Sequence, residues 1–255
     1  MPASDETPYF SNNPEWQHLY DTNTPFSDKW LGENALSYSD ALKRCHQLKR
    51  QGWDLFRGQK MNTNLAPTGR RKKADKDRLL HFTEWVRRQP ELKDIHEEPY
   101  RIFAIAQHYG IHTPLLDFTR DPKIAGFFSQ YSSAELAKIA DNEVRPSVII
   151  CAKSKSINNL LKTYSSIIDC DHPLYGIQSF AKSIPVPNIR RMRAQKSVFV
   201  LCYFNDYDID IALDFHRIYY PPVAAASQQL RSKLFPPHRT KLERIIDQYF
   251  RSHAY

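Results

Sequence analysis

The chain has 255 residues, of which 41% are hydrophobic and 13% aromatic. That length suits one large domain or two small ones, and that apolar content excludes a wholly disordered chain. The net charge of +8, from 36 basic and 28 acidic residues, points to an anionic partner such as a nucleotide, a nucleic acid or a phosphate group, with plain solubility as the competing explanation.

The sequence holds no apolar run long enough to span a bilayer. Met1-Pro2-Ala3-Ser4-Asp5-Glu6 lacks the basic and apolar regions of a secretory signal. A cytoplasmic location is expected, with no membrane partner. Cys45, Cys151, Cys170 and Cys202 form no Cys-x-x-Cys pair and read as free, buried thiols in a reducing compartment. No metal site is expected.

Residues 1–36 are rich in Asn, Asp, Pro, Ser and Thr and read as an irregular N-terminal segment before a single domain over 37–255. Ser39 reads as a helix N-cap, with Leu42, Cys45 and Leu48 at helical spacing and Gly52 as the terminator. Trp53-Asp54-Leu55-Phe56 reads as a short strand that delivers Arg57 at its end. A loop then leads to the basic run Arg70-Arg71-Lys72-Lys73. Helices are expected over 75–89, with Leu79, Phe82 and Val86 on one face, and from Pro99 to Gly110. Leu115-Leu116-Asp117-Phe118 reads as strand. Asp121-Pro122 starts a helix that turns Ile124, Ala125, Phe127 and Phe128 inward. Further strands are expected over 147–152, 197–204, 209–213 and 217–220, and helices over 157–164, 223–234 and 240–250. Residues 165–194 show no firm period. Few strands separated by helices predict an α+β fold, with a small central mixed or antiparallel sheet flanked by helices. No Gly-x-Gly-x-x-Gly or P-loop pattern is present.

Three segments concentrate chemistry. In Phe56-Arg57-Gly58-Gln59, an arginine beside exposed glycine backbone suits a bidentate grip on phosphate, and the Gln59 amide can orient a ligand. A surface arginine beside a turn is the plain alternative. From Ala106 to Pro122, Gln107, His108 and Thr113 are read as satisfying backbone groups around a turn. The carboxylate of Asp117, inside an apolar run, needs a partner, for which Arg57 is a candidate. Thr119 and the start of the next helix could face an anion. In the third segment Arg190, Arg191 and Arg193 precede Gln195 and a core strand. There Arg191 or Arg193 could bind phosphate at the mouth of a cleft, or the stretch is simply a basic loop.

Taken in order, these segments resemble the FRG-domain family, named for its Phe-Arg-Gly motif. The resemblance rests on Phe56-Arg57-Gly58-Gln59, on Ala106-Gln107-His108-Tyr109-Gly110, and on Thr113-Pro114-Leu115-Leu116-Asp117-Phe118-Thr119 leading to Pro122 and Ala125. Arg191, Ala194, Gln195, Phe199 and Leu234-Phe235-Pro236 complete it. It runs from about residue 40 to 250, which makes 37–255 the expected FRG domain. The family commonly has Trp where this chain has Phe118, and Gly where it has Ser197.

The motif order also resembles that of ADP-ribosyltransferases, which implies a divergent split sheet and NAD as cofactor. In that likeness Arg57, Asp117 and Gln195 take catalytic roles, and Arg57, Gln59, His108, Tyr109 and Thr119 bind the cofactor. Arg70, Arg71, Lys72, Lys73, Arg191 and Arg193 track phosphate or nucleic acid. Gln195 stands where those enzymes usually carry Glu. The implied function is a bacterial or phage toxin or defence effector acting on a protein or nucleic-acid acceptor, with an antitoxin as a further partner. Two other readings remain: a nucleotide- or nucleic-acid-binding module without catalysis, and a nuclease or other hydrolase using His108 or His112 as acid-base.

Overall fold

The first long helix begins where a side chain can meet its free backbone. Ser37 is extended, at φ −155°, and its hydroxyl accepts a hydrogen bond from the Asp40 N–H at 3.2 Å. Helix α1 therefore spans Tyr38–Arg50, starting earlier than a cap at Ser39 would place it. Gly52 ends it at φ +91°, a left-handed conformation that favours glycine.

The computed structural model describes residues 32–61, 65, 73–96, 99–138, 146–165, 181–182, 189–201, 215–224, 228–237 and 239–252. The basic residues 70–72 and the expected strand over 209–213 lie outside the described residues.

Among the described residues seven strands form one sheet: β1 (Gly32–Asn34), β2 (Leu55–Gln59), β3 (Leu115–Thr119), β4 (Ser147–Ala152), β5 (Ala181–Lys182), β6 (Ser197–Leu201) and β7 (His216–Tyr220). Their order is β1-β7-β4-β2-β3-β6-β5. The β1–β7 pair is parallel and the other neighbours are antiparallel, so the sheet is mixed. Strand β1 falls within the stretch read as irregular; it is held at the edge by pairing of Gly32 with Arg217 and Asn34 with Tyr219. Helices follow as α2 (Lys73–Arg88), α3 (Lys93–His96), α4 (Pro99–His108), α5 (Pro122–Phe128), α6 (Ser133–Leu136), α7 (Ser154–Ser165), α8 (Arg190–Ala194), α9 (Gln228–Leu234) and α10 (Lys241–Ser252). The fold is α+β. Helix α9 starts later than the expected 223–234, because Val223 and Ala224 instead reach the Tyr131 backbone. No helix among the described residues is long and apolar enough to cross a membrane.

Strand β4 is buried throughout and shows why the sheet carries helices on two sides. Val148, Ile150 and Ala152 join a core with Phe82 and Val86 of α2, Ile102 and Ile105 of α4, and Ile246 of α10. The intervening Ile149 and Cys151 join a second core with Ala41 and Cys45 of α1, Phe56 of β2 and Ala125 of α5. Alternate residues of a strand face opposite ways, so one apolar run serves two layers. Cys45 and Cys151 are free thiols, and burial, followed by the neighbouring Cys45, pushes the Cys151 thiol upward in pKa.

Two constraints place the functional region. Strands β2 and β3 share a single paired position, Phe56 with Thr119, whereas β2 pairs with β4 from Leu55 to Gln59. Past Phe56 the sheet opens between β2 and β3. Arg57, at the centre of β2 rather than its end, bridges the opening: its Nη1 donates to the Asp117 carbonyl at 2.7 Å. The second constraint is Gly58. A Cβ there would stand 1.8 Å from the Ala125 carbonyl oxygen and 2.8 Å from the Ser129 nitrogen. Only glycine lets α5 lie directly on β2.

A substitution series follows from that contact. Gly58→Ala forces backbone against backbone and is expected to lower unfolding stability by about 3 kcal/mol or to prevent folding. Gly110→Ala, with nothing within 4 Å of its Cβ and only a φ of +87° to strain it, should lose about 1 kcal/mol. Urea unfolding of both variants checks the order; equal losses would contradict it.

Candidate functional site

A pocket of about 250 Å³ fills the opening between β2 and β3. Arg57, His108, Asp117, Thr119, Arg191 and Gln195 all line it, together with Gln107, Phe128 and Ser197. Residues from β2, α4, β3, α5, α8 and β6, far apart in sequence, thus converge on one cavity.

Each side chain is positioned by its element. His108 closes α4, where Gly110 at φ +87° turns the chain away. Its ring meets Phe199 edge-on, with centroids 6.0 Å apart. Next to it Gln107 accepts a hydrogen bond from the Thr113 hydroxyl, and that hydroxyl accepts from Leu115 N–H at 3.2 Å. Gln107 and Thr113 therefore stitch the turn, whereas the His108 ring does not: its Nε2 is buried with no hydrogen-bond partner among the described residues. Burial, with the Arg191 charge assisting and the Asp117 carboxylate opposing, holds the His108 pKa down to about 4. His108 is a neutral imidazole at physiological pH.

Arg191 donates from Nη1 to the His108 carbonyl at 2.9 Å and lies 4.5 Å over the ring centre of Phe235. Burial lowers its pKa and the Asp117 charge raises it. The Asp117 carboxylate thus faces His108 and Arg191, while its carbonyl takes the bond from Arg57. The sequence pairs the carboxylate with Arg57; the structure joins those residues through the Asp117 main chain, because β3 offers its carbonyl where the ladder stops. Asp117 Oδ1 and Arg191 Nε are buried with no hydrogen-bond partner among the described residues.

Gln195, 6% exposed, caps the end of α8. Its Nε2 donates to the Leu234 carbonyl at 3.5 Å, and its own carbonyl accepts from the Thr119 hydroxyl at 2.8 Å. The Thr119 hydroxyl also accepts from the Asp121 N–H at 3.2 Å, so it is engaged within the protein. Asp121 caps α5 through the Lys123 N–H at 3.0 Å and pairs with Lys196 at 2.8 Å. The start of that helix is satisfied by its own carboxylate and does not present itself to an anion.

Other expected site residues lie elsewhere. Tyr109 follows the last turn of α4 and stacks on Phe250 at 5.0 Å, its hydroxyl donating to the Glu243 carbonyl at 3.4 Å. It anchors α10 and does not line the pocket. Gln59 is likewise outside the lining, with Oε1 buried and without a hydrogen-bond partner among the described residues. Arg193 and His112 are exposed and away from the lining. Arg70, Arg71 and Lys72 lie outside the described residues, and Lys73 opens the backbone of α2. Phe128 is 37% exposed and lines the pocket, where the periodicity of α5 predicts an inward residue. Sequence reasoning missed its place at the cavity, and that of Gln107. Among the described residues, no group of three or more His, Cys, Asp and Glu side chains is close enough to hold a metal.

The neutral His108 sets a pH dependence. Its folded-state pKa of about 4 lies below the ordinary value near 6.5, so the unfolded chain binds a proton that the folded chain does not. Stability from this group is complete above about pH 6.5 and falls as pH drops toward 4, by roughly 3 kcal/mol at most. Urea unfolding at pH 7 and pH 4.5 should show a larger loss for the unaltered chain than for His108→Asn; equal losses would contradict the assignment.

Residues 54–137, about a third of the chain, match the family model of the FRG domain. No curated protein and no solved structure matches the chain. The matched stretch contains Arg57, His108, Asp117 and Thr119, and excludes Arg191 and Gln195, which reach the same pocket from α8. Over that stretch the chain is similar to the FRG domain.

Proposed function

We propose that the pocket is the site of an ADP-ribosyltransferase-like reaction, in which NAD is bound and its ADP-ribose moved to a protein or nucleic-acid acceptor. The observation that carries the reading is the convergence of Arg57, Asp117 and Gln195 on one cavity, from strand-borne and strand-leading positions on β2, β3 and the start of β6. Those three strands are neighbours in the sheet, and the sheet opens between the first two. A role as a bacterial or phage toxin or defence effector accompanies this reading.

The chemistry asks for few groups. The bond between nicotinamide and ribose C1′ breaks, the electron pair leaves with nicotinamide, and C1′ becomes electron-poor until an acceptor oxygen or nitrogen attacks and loses its proton. A carboxylate facing C1′ stabilises that charge in a water-poor cavity. Among the described residues Asp117 is the one acidic side chain in the lining, so that role falls to it. Arg57 and Arg191 supply positive charge for the pyrophosphate, and neutral His108 can hydrogen-bond a ribose hydroxyl without adding a cation beside C1′. A cavity of about 250 Å³ is smaller than the ~300–1,000 Å³ typical for drug-sized ligands. It suits the nicotinamide riboside and an adjacent phosphate, with the adenylate half across the rim.

A second reading is favoured by Gln195, a neutral amide already hydrogen-bonded to the Leu234 carbonyl: the pocket holds the nucleotide without turning it over. Incubation with labelled NAD and cell lysate separates the two. Transfer requires nicotinamide release and labelled product. Asp117→Asn should retain NAD binding while slowing release about 100-fold; Arg57→Ala and Gln195→Ala should abolish labelling. Binding without release supports the second reading, and absence of both sinks the nucleotide assignment.

A further inference from the structure

We propose that Glu243 is a positioning residue for the pocket: from α10 its carboxylate holds the start of α8, and with it Arg191 and Gln195, against the cavity. The inference builds on the nucleotide reading of that pocket and extends the site beyond the family-matched residues 54–137.

Helix α8 has five residues, too few to be stable by its own hydrogen bonds. Its first N–H groups need outside acceptors, and its N-cap, Ile189, has no side-chain acceptor to offer. Glu243 supplies one: Oε1 accepts from the Arg190 N–H at 3.1 Å. Its Oε2 accepts from the Thr240 N–H at 2.8 Å, while the Thr240 hydroxyl accepts from the Glu243 N–H at 3.1 Å. The same carboxylate therefore closes a capping box at the start of α10 and caps α8. A negative charge at two helix starts is favourable for both.

Glu243 is itself 1% exposed and firmly seated. Tyr109 donates to its carbonyl, and Ile246 and Tyr249 of the same helix are buried in the larger core. At the other end of α8, Thr119 holds the Gln195 carbonyl and Lys196 pairs with Asp121. Arg191 lies between these anchors, its guanidinium reaching the His108 carbonyl. Releasing the Glu243 end lets α8 swing about its Gln195 end, drawing Arg191 off His108. A glutamine keeps one acceptor oxygen but turns an NH₂ group toward one of the two N–H groups, and an alanine keeps neither acceptor.

The test uses the full chain, with Glu243→Gln, Glu243→Ala and, as a control of general stability, Val86→Ala in the core beneath α2. Thermal unfolding is measured for each, NAD binding by calorimetry, and the His108 ring by NMR titration. Positioning predicts that Glu243→Ala moves the His108 pKa from about 4 toward its ordinary value near 6.5, because water enters and the Arg191 charge withdraws. It also predicts roughly tenfold or greater loss of NAD affinity. Glu243→Gln should show a smaller change in the same direction, and Val86→Ala should lose stability with neither change. If the glutamate variants unfold more easily but keep the His108 titration and NAD affinity of the unaltered chain, the proposal is overturned. Should Glu243→Ala fail to fold, Glu243→Gln decides by the same readings. If the unaltered chain binds no NAD, the nucleotide reading fails, and the His108 titration still decides the positioning.

Discussion

The interrupted ladder between β2 and β3 is the feature on which the pocket depends. After Phe56 and Thr119 pair, the strands exchange no further registered positions. A strand leaving its neighbour strips main-chain groups of their partners, at a cost that buried backbone rarely bears. Here the Asp117 carbonyl is met by the Arg57 guanidinium. One long side chain takes the place of strand pairing at that carbonyl. The space so made is lined by residues of β2, β3 and β6 and by side chains from α4, α5 and α8.

The cavity is held open from several directions. Gly58 brings α5 onto β2, so that Ala125 and Phe128 form one wall. Leu234 and Phe235, at the end of α9, form the support behind Gln195 and Arg191. The electrostatics follow from that enclosure. Arg57, Arg191 and Asp117 share the lining, and His108 stays neutral because burial and the Arg191 charge outweigh the attraction of Asp117. Desolvation, not a designated partner, decides its protonation state.

The motif residues divide between building the fold and furnishing the pocket. In Phe56-Arg57-Gly58-Gln59, Phe56 belongs to the core beneath α1 and α5, Arg57 spans the gap, Gly58 admits α5, and Gln59 is absent from the lining. In Ala106-Gln107-His108-Tyr109-Gly110, Ala106 is core, Gln107 secures the turn, His108 faces the cavity, Tyr109 seats α10, and Gly110 reverses the chain. Neighbouring letters have different tasks because successive residues of a strand or helix point in different directions.

By itself the sequence determined the α+β class, most element positions, and the three segments that hold the pocket residues. These are local properties: the apolar run through Ser147–Ala152, the Asp121-Pro122 helix start, the glycines that end α1 and α4. It also contained the Thr240-x-x-Glu243 capping pattern, though not the second helix that the same carboxylate caps. Only the tertiary structure decided that Arg57 bonds to the carbonyl of Asp117, that Tyr109 and Gln59 stand outside the lining, and that Thr119 is engaged with Gln195. Those outcomes depend on where the β2–β3 ladder stops and on which helix crosses which strand. Contacts between residues 60 to 134 positions apart set them, and no local pattern encodes contacts at that separation.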